Sequence, residues 1–249
     1  MSGFWPILRR ELFALFVTPL AWVVITGFLL IQGLHFYLVV GHFAVESGLG
    51  ADAGPLQMFF GQTVFLYLPL LLLCPVLTMR LFAEERRSGT IETLLTAPVS
   101  TPAVVLGKYL AVWVVYLAMW SPTLAYVALV ANVATVDLAV VATSYLAVIA
   151  VGSGYLALGT MTSALTTSQL SAAMLSAVAI IASFVLGVGE YVLPEGTAQR
   201  LCAYVSVWSQ MNDFSRGIVD SRRLWLNLTL VVVPLFVTVR AVEAWRQQT

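Results

Sequence analysis

The sequence predicts an all-α polytopic membrane protein, with six transmembrane helices preceded by an N-terminal interfacial amphipathic helix. Three observations carry that expectation. Hydrophobic residues make up 60% of the 249-residue chain and charged residues only 10%, against about 25% charged in an ordinary soluble domain. Mean hydropathy is +0.94, so a soluble globule built from this chain would have no surface to offer water. The apolar residues fall into six runs, each near the roughly 20 residues that cross a bilayer core.

Each element follows in chain order. From Phe4 to Phe16, the residues Phe4, Trp5, Leu8, Leu12, Leu15 and Phe16 share an apolar face, with Arg9, Arg10 and Glu11 facing out. That is the pattern of a helix lying in the headgroup plane. Thr18-Pro19 restarts the chain as cap and first helical residue, and the first span runs about 19–40. This run exceeds the roughly 7–15-residue apolar core of a cleavable signal. The second span, about 56–79, follows Pro55 and holds Pro69 and Pro75 as kinks. Thr101-Pro102 opens the third, about 102–130, kinked at Pro122. Asp137 caps the fourth, about 138–162; the fifth runs about 169–188 and the sixth about 222–241. Between the last two, residues 190–221 carry Tyr191, Tyr204, Trp208 and Phe214 and read as one or two short amphipathic helices at the outer interface. The whole chain, 1–249, forms one transmembrane domain.

Basic residues set the orientation. Eight fall on the side of the N-terminus (Arg9, Arg10, Arg80, Arg86, Arg87, Lys108, Arg240 and Arg246) and four on the other (Arg200, Arg216, Arg222 and Arg223). Both termini and the loop between spans two and three are therefore expected in the cytoplasm, with the chain in a bacterial or archaeal inner membrane. The formal net charge is zero, which gives no footprint for nucleic acid. Cys74 lies in a span and Cys202 in a loop at another depth, so no disulfide is expected.

The segment from Met79 to Lys108 holds Arg80, Glu84, Glu85, Arg86, Arg87, Glu92 and Lys108, seven of the chain's twelve basic and twelve acidic side chains. Its chemistry makes a helical elbow over 81–100. A first short helix ends at Ser88-Gly89, where glycine takes the left-handed turn. Thr90 caps a second, with Glu92 in its first turn. Ile91, Leu94 and Leu95 form an apolar face and Pro98 stops the helix. A tight turn of a few residues would have sufficed to join two spans, so a doubly capped block is a built surface for a partner in the water.

The run Glu84 to Ser100, followed by Gly107-Lys108, resembles the cytoplasmic signature of ABC-2-type transporter permeases. The branch is the one containing gliding-motility-associated and nitrous-oxide-reductase-maturation permeases. Weaker likenesses are Arg10-Glu11-Leu12, Thr18-Pro19-Leu20-Ala21, Ser163-Ala164-Leu165-Thr166 with Gln169, and Arg216-Gly217-Ile218-Val219-Asp220. The resemblance implies that the elbow is a coupling helix docked on a separate ABC ATPase, present in two copies. Glu84, Glu85, Arg86, Arg87, Gly89, Thr90, Ile91, Glu92, Leu94 and Leu95 would form that contact. It also implies a second permease copy as homodimer partner, surrounding membrane lipid and, where the machine extrudes rather than transports, a periplasmic accessory protein. No cofactor is expected on this chain, which has no GxxxxGK[ST] phosphate loop; ATP and Mg belong to the partner.

A few other polar or small positions invite a role. Gln32 and His35 lie three apart on one face of the first span, near its outer end, and Gln62 with Thr63 lies in the second. Polar groups at membrane depth are functional suspects, so these read as pore or packing residues, together with Gly152, Gly154 and Ser176. Ala172, Ser176, Ala179 and Ser183 make a small-residue stripe that packs on the fourth span or on a second subunit. Gly152-Ser153-Gly154 falls short of an intramembrane-protease nucleophile, because Val151 stands where glycine is needed. The alternative class is a stand-alone secondary transporter or intramembrane enzyme. An ion-coupled carrier normally needs carboxylates or other ionisable groups at mid-membrane, and no Asp, Glu, Lys or Arg lies deep in any of the six spans.

Overall fold

The computed structural model describes residues 3–46, 54–61, 63–90 and 99–246. Twelve α-helices account for most of them, and the described residues contain no strand. They are α1 (Phe4–Val17), α2 (Pro19–Glu46), α3 (Pro55–Gly61), α4 (Val64–Thr78), α5 (Ala83–Ser88), α6 (Thr101–Trp120), α7 (Leu124–Ala131), α8 (Leu138–Leu165), α9 (Gln169–Val192), α10 (Thr197–Val205), α11 (Val207–Ser215) and α12 (Ser221–Arg246). Six helical stretches are long and apolar enough to cross a membrane: Pro19–Ala44, Val64–Ser88, Thr101–Ala131, Leu138–Leu165, Gln169–Val192 and Ser221–Arg246. The protein is an all-α, multi-pass membrane protein.

Helix α8 is the hub, packing on α4, α6, α9, α11 and α12. Small residues permit this. Gly152 lies directly beneath the Tyr116 hydroxyl and ring of α6, and Gly159 lies against Thr78 of α4. Tyr116 is fully buried and donates to the Val148 carbonyl at 2.9 Å. Phe28, Leu66, Leu70, Met119 and Leu156 fill the remaining centre and are essentially inaccessible.

Local signals set several boundaries. The Asp137 carboxylate accepts from the Ala139 N–H at 2.8 Å, capping α8. Pro122 sits in a 3-10 turn, Ser121–Thr123, that separates α6 from α7. The outer segment forms two short helices, α10 and α11; α11 buries Val207, Met211 and Phe214.

The second span differs from the sequence reading. It divides into α3 and α4, with Thr63 extended between them (φ −125, ψ 143). Helix α3 is committed to α11: a β-carbon on Gly61 would fall 3.1 Å from the Asn212 backbone. A single apolar run thus serves two packing directions. The small-residue stripe on α9 is also resolved: Ala172 and Ser176 are buried within the chain, where α9 packs on α8 and α4.

Both ends of the described chain meet at Val99. Gly3 packs on the Val99 side chain, and Arg246 Nη1 donates to the Val99 carbonyl at 3.5 Å. Residue 99 lies at the end of the 81–100 elbow, so α1, α5 and the end of α12 share one end of the bundle.

Candidate functional site

Helix α5 opens with Glu84 and Glu85 in its first turn and ends with Arg86 and Arg87 in its last, a sign order that complements the helix dipole. Gly89 then takes the left-handed conformation at φ 73, as the sequence requires of it. The Thr90 and Ser88 hydroxyls share a hydrogen bond of 2.9 Å. Ile91, Glu92, Leu94 and Leu95 lie outside the described residues, as does the second elbow helix expected there.

The elbow is fixed from below by the end of α8. Ser163 Oγ accepts from the Phe82 and Ala83 N–H groups at 3.1 and 3.2 Å, and donates to the Met79 carbonyl at 3.1 Å. Arg86 donates to the Ala164 and Thr166 carbonyls at 3.4 and 3.3 Å, and its guanidinium lies 4.4 Å from the Trp245 ring centre. Arg80 Nε reaches Gln169 Oε1 at 3.4 Å. The Ser163–Thr166 segment and Gln169 are therefore the elbow's seat.

Four charges tie the elbow to its other neighbours. Lys108 is only 1% exposed. Its ammonium contacts Glu85 Oε1 at 2.9 Å and Glu11 Oε1 at 3.1 Å. Arg10 closes the cluster, 2.7 Å from Glu11 and 2.9 Å from Glu85. Helices α1, α5 and α6 thus share one network of two cations and two carboxylates. Gly107 makes room for it: a β-carbon there would fall 3.0 Å from Ile7 Cγ2, so its absence lets α1 lie close on α6.

One sequence expectation is corrected here. Glu11 does not face outward with Arg9; it is buried beside Ile7 and Leu8, while Trp5 and Phe13 are exposed. Periodicity sorts residues by apolarity and cannot see that a carboxylate can be buried once a lysine pairs with it. Arg86 and Glu85 also point into the protein, the first to α8 and the second to Lys108. Glu84 and Arg87 remain on the surface; Glu84 makes a 3.6 Å pair with Arg80.

Burial works against ionisation of Glu11, but Lys108 and Arg10 outweigh it and hold its carboxyl below the ordinary value of 4.5. A group depressed in the folded state stabilises the fold above its unfolded value and loses that contribution as pH falls through the folded one. The Glu11 contribution is therefore expected to be level from neutral pH down to about 4.5 and to fall below it. Unfolding midpoints across that range should show a smaller acid loss in Glu11→Gln; an unchanged acid slope would exclude this pairing.

The other candidate positions sit elsewhere. His35 is 1% exposed, so it is packed rather than wetted. Its Nδ1–H donates to Gln32 Oε1 at 3.1 Å, Nε2 accepts from the Thr63 hydroxyl, and the ring stacks on Phe59 at 4.5 Å. This contact braces the break between α3 and α4. Gln62 lies outside the described residues. Gly152 packs under Tyr116, Gly154 lies beside Leu230 of α12, and Ser176 stands next to Gly159. Cys74 and Cys202 are free thiols. Among the described residues no cluster of histidine, cysteine or carboxylate side chains is arranged to hold a metal.

In the sequence Lys108 closes the charged block and Glu11 belongs to the first helix, with nothing to mark their pairing. The available signal was chemical: a lysine inside an apolar helix needs a carboxylate partner, and Glu11 and Glu85 are among the acids at the same end. No curated protein matches the chain. The profile of the ABC-2 family transporter proteins matches residues 48–240, a stretch that includes the elbow, its seat on α8 and Lys108. The chain belongs to the ABC-2 transporter family and is a transmembrane permease component of an ABC transporter.

Proposed function

We propose that this chain is the membrane half of an exporter or extruder in the cytoplasmic membrane, driven by separate ATPase subunits that bind ATP and Mg and dock on the 81–100 elbow. The observation that carries this reading is the Lys108 cluster. A loop that merely joined two spans would need no buried tie to α6 and α1 and no hydrogen-bonded seat on α8. A force applied to α5 passes to α6 through Glu85 and Lys108, to α1 through Arg10, and to α8 and α12 through Ser163, Arg86 and Trp245. The bundle interior is filled by buried aromatic and aliphatic side chains, which favours a passage between two copies of the chain over one through its centre. Both ends of the chain and the elbow are assigned to the cytoplasm on the eight-to-four excess of basic residues.

The contact to the ATPase divides into two parts. Glu84 and Arg87 present charge outward and set the register of docking; Glu85 and Arg86 hold the elbow's shape. Rim charges steer association more than they hold it. The test is co-purification of the ATPase with an inserted Glu84→Arg, Arg87→Glu double variant, with coupled ATPase activity as second readout. Docking should weaken while the unfolding midpoint of the permease shifts by no more than about 1 kcal/mol, the size of a surface pair and helix-end charge effect. Full binding with full coupling would reduce the elbow to a connecting loop.

A further inference from the structure

Helix α1 turns Ile7, Leu8 and Glu11 inward and leaves Trp5, Arg9, Phe13 and Val17, each four residues apart, on its outer side. Trp5 is 69% exposed and Phe13 72%. A guanidinium is thus flanked by an aromatic ring one turn on either side. Trp5, Pro6, Arg9, Arg10 and Phe13 line a cleft of about 540 Å³. A second cleft, about 460 Å³, is lined by Arg10 together with Glu11, Glu84, Glu85 and Lys108. Arg10 belongs to both, so its guanidinium stands between the acidic cluster inside and the aromatic face outside.

The depth of this face is fixed by the chain. Helix α1 runs into the first span at Thr18-Pro19, and Trp22 of that span donates to the Phe16 carbonyl at 2.8 Å. Exposed indole and phenyl rings at the start of a span belong in the headgroup layer. Guanidinium groups there match phosphate oxygens in charge and geometry. Arg9 carries no part of the internal cluster and is exposed, whereas Lys108 is sealed from that side at 1% exposure.

We propose that the Trp5–Phe13 face of α1 binds the phosphate of an anionic phospholipid, and that this phosphate competes with Glu85 for Arg10. A lipid so bound loosens the tie between α1 and the elbow while the Lys108–Glu85 tie to α6 stays in place. Lipid charge then sets how firmly the elbow is held. The consequence for transport rests on the reading of the elbow as the ATPase dock; the binding itself does not.

The experiment uses the full chain without an ATPase, in nanodiscs of phosphatidylcholine alone or mixed with phosphatidylglycerol. Lipid that stays bound after release into detergent is counted by native mass spectrometry, and amide exchange is followed over 83–88. Phosphatidylglycerol should be retained in preference to phosphatidylcholine, and Arg9→Gln should lower that retention about fivefold, the effect of one basic residue at a charged membrane surface. Exchange over 83–88 should be several-fold faster in the anionic discs for the native chain, and this difference should shrink in Arg9→Gln. The variant's unfolding midpoint in phosphatidylcholine should match the native one, because Arg9 is a surface residue. Equal retention of the two lipids, or native retention in Arg9→Gln, overturns the site. Selective retention with lipid-independent exchange over 83–88 in the native chain overturns the competition with Glu85. A failure of the ATPase dock is read separately, by co-purification, and leaves these outcomes untouched.

Discussion

Lys108→Ala should destabilise the protein by about 2–4 kcal/mol and disconnect α5 from α6. Breaking a buried ion pair by removing one partner costs about 3–5 kcal/mol when the remaining charge has no other compensation. Here the remaining side chains, Glu11 and Glu85, are 12% and 17% exposed and keep Arg10, so the expected loss lies at or below that range. The comparison that isolates the pairing is Lys108→Met combined with Glu11→Gln and Glu85→Gln. Removing all three charges leaves no orphaned carboxylate, and stability should return by more than half of the loss. The midpoint of unfolding in detergent reads both variants. A midpoint for Lys108→Ala within about 1 kcal/mol of the native protein, the level of a surface pair, would mean that the cluster is wetted and does not tie the helices together. The triple variant carries a second expectation: a stable bundle that binds the ATPase but no longer passes ATP-driven movement to α6 and α1, while the path to α8 and α12 through Ser163, Arg86 and Trp245 remains.

The elements that were legible in the sequence are those decided by a few neighbouring residues. Asp137 caps α8 because its carboxylate reaches the N–H two residues on. Gly89 turns left-handed because it is the residue after the last helical one. Pro122 breaks the third span within its own turn. The six spans follow from apolar length alone. What the sequence did not show depends on residues far apart along the chain. Glu11 and Lys108 are 97 positions apart, and no periodicity links them. Thr63 stands out in the sequence as a polar position inside what reads as one continuous span, yet its hydroxyl is taken by His35 and the helix divides there. The charged elbow was found as a block, but its division into inward Glu85 and Arg86 and outward Glu84 and Arg87 needed the positions of α6 and α8.

The same distinction separates pore from packing at Gly152. A β-carbon there would overlap the Tyr116 hydroxyl and ring, and Tyr116 has no room to retreat, being fully buried and hydrogen-bonded to Val148. Gly152→Ala is therefore expected to cost about 1–3 kcal/mol, the usual penalty for overfilling a packed interior. Gly154→Ala meets only Leu230 Cβ at 3.3 Å, and a small shift of α12 accommodates it for less than about 1 kcal/mol. The two glycines thus serve as each other's control on one helix. Tyr116→Leu alone should also destabilise, through the lost hydrogen bond and ring contacts. Combined with Gly152→Ala it should cost less than the sum, because the leucine vacates the space the new methyl needs; contacting residues commonly show coupling of about 0.5–3 kcal/mol. Strict additivity of the two changes, or an unchanged unfolding midpoint in Gly152→Ala, would show that Gly152 does not press on Tyr116. Gly152 would then have to be reconsidered as lining a path through the bundle.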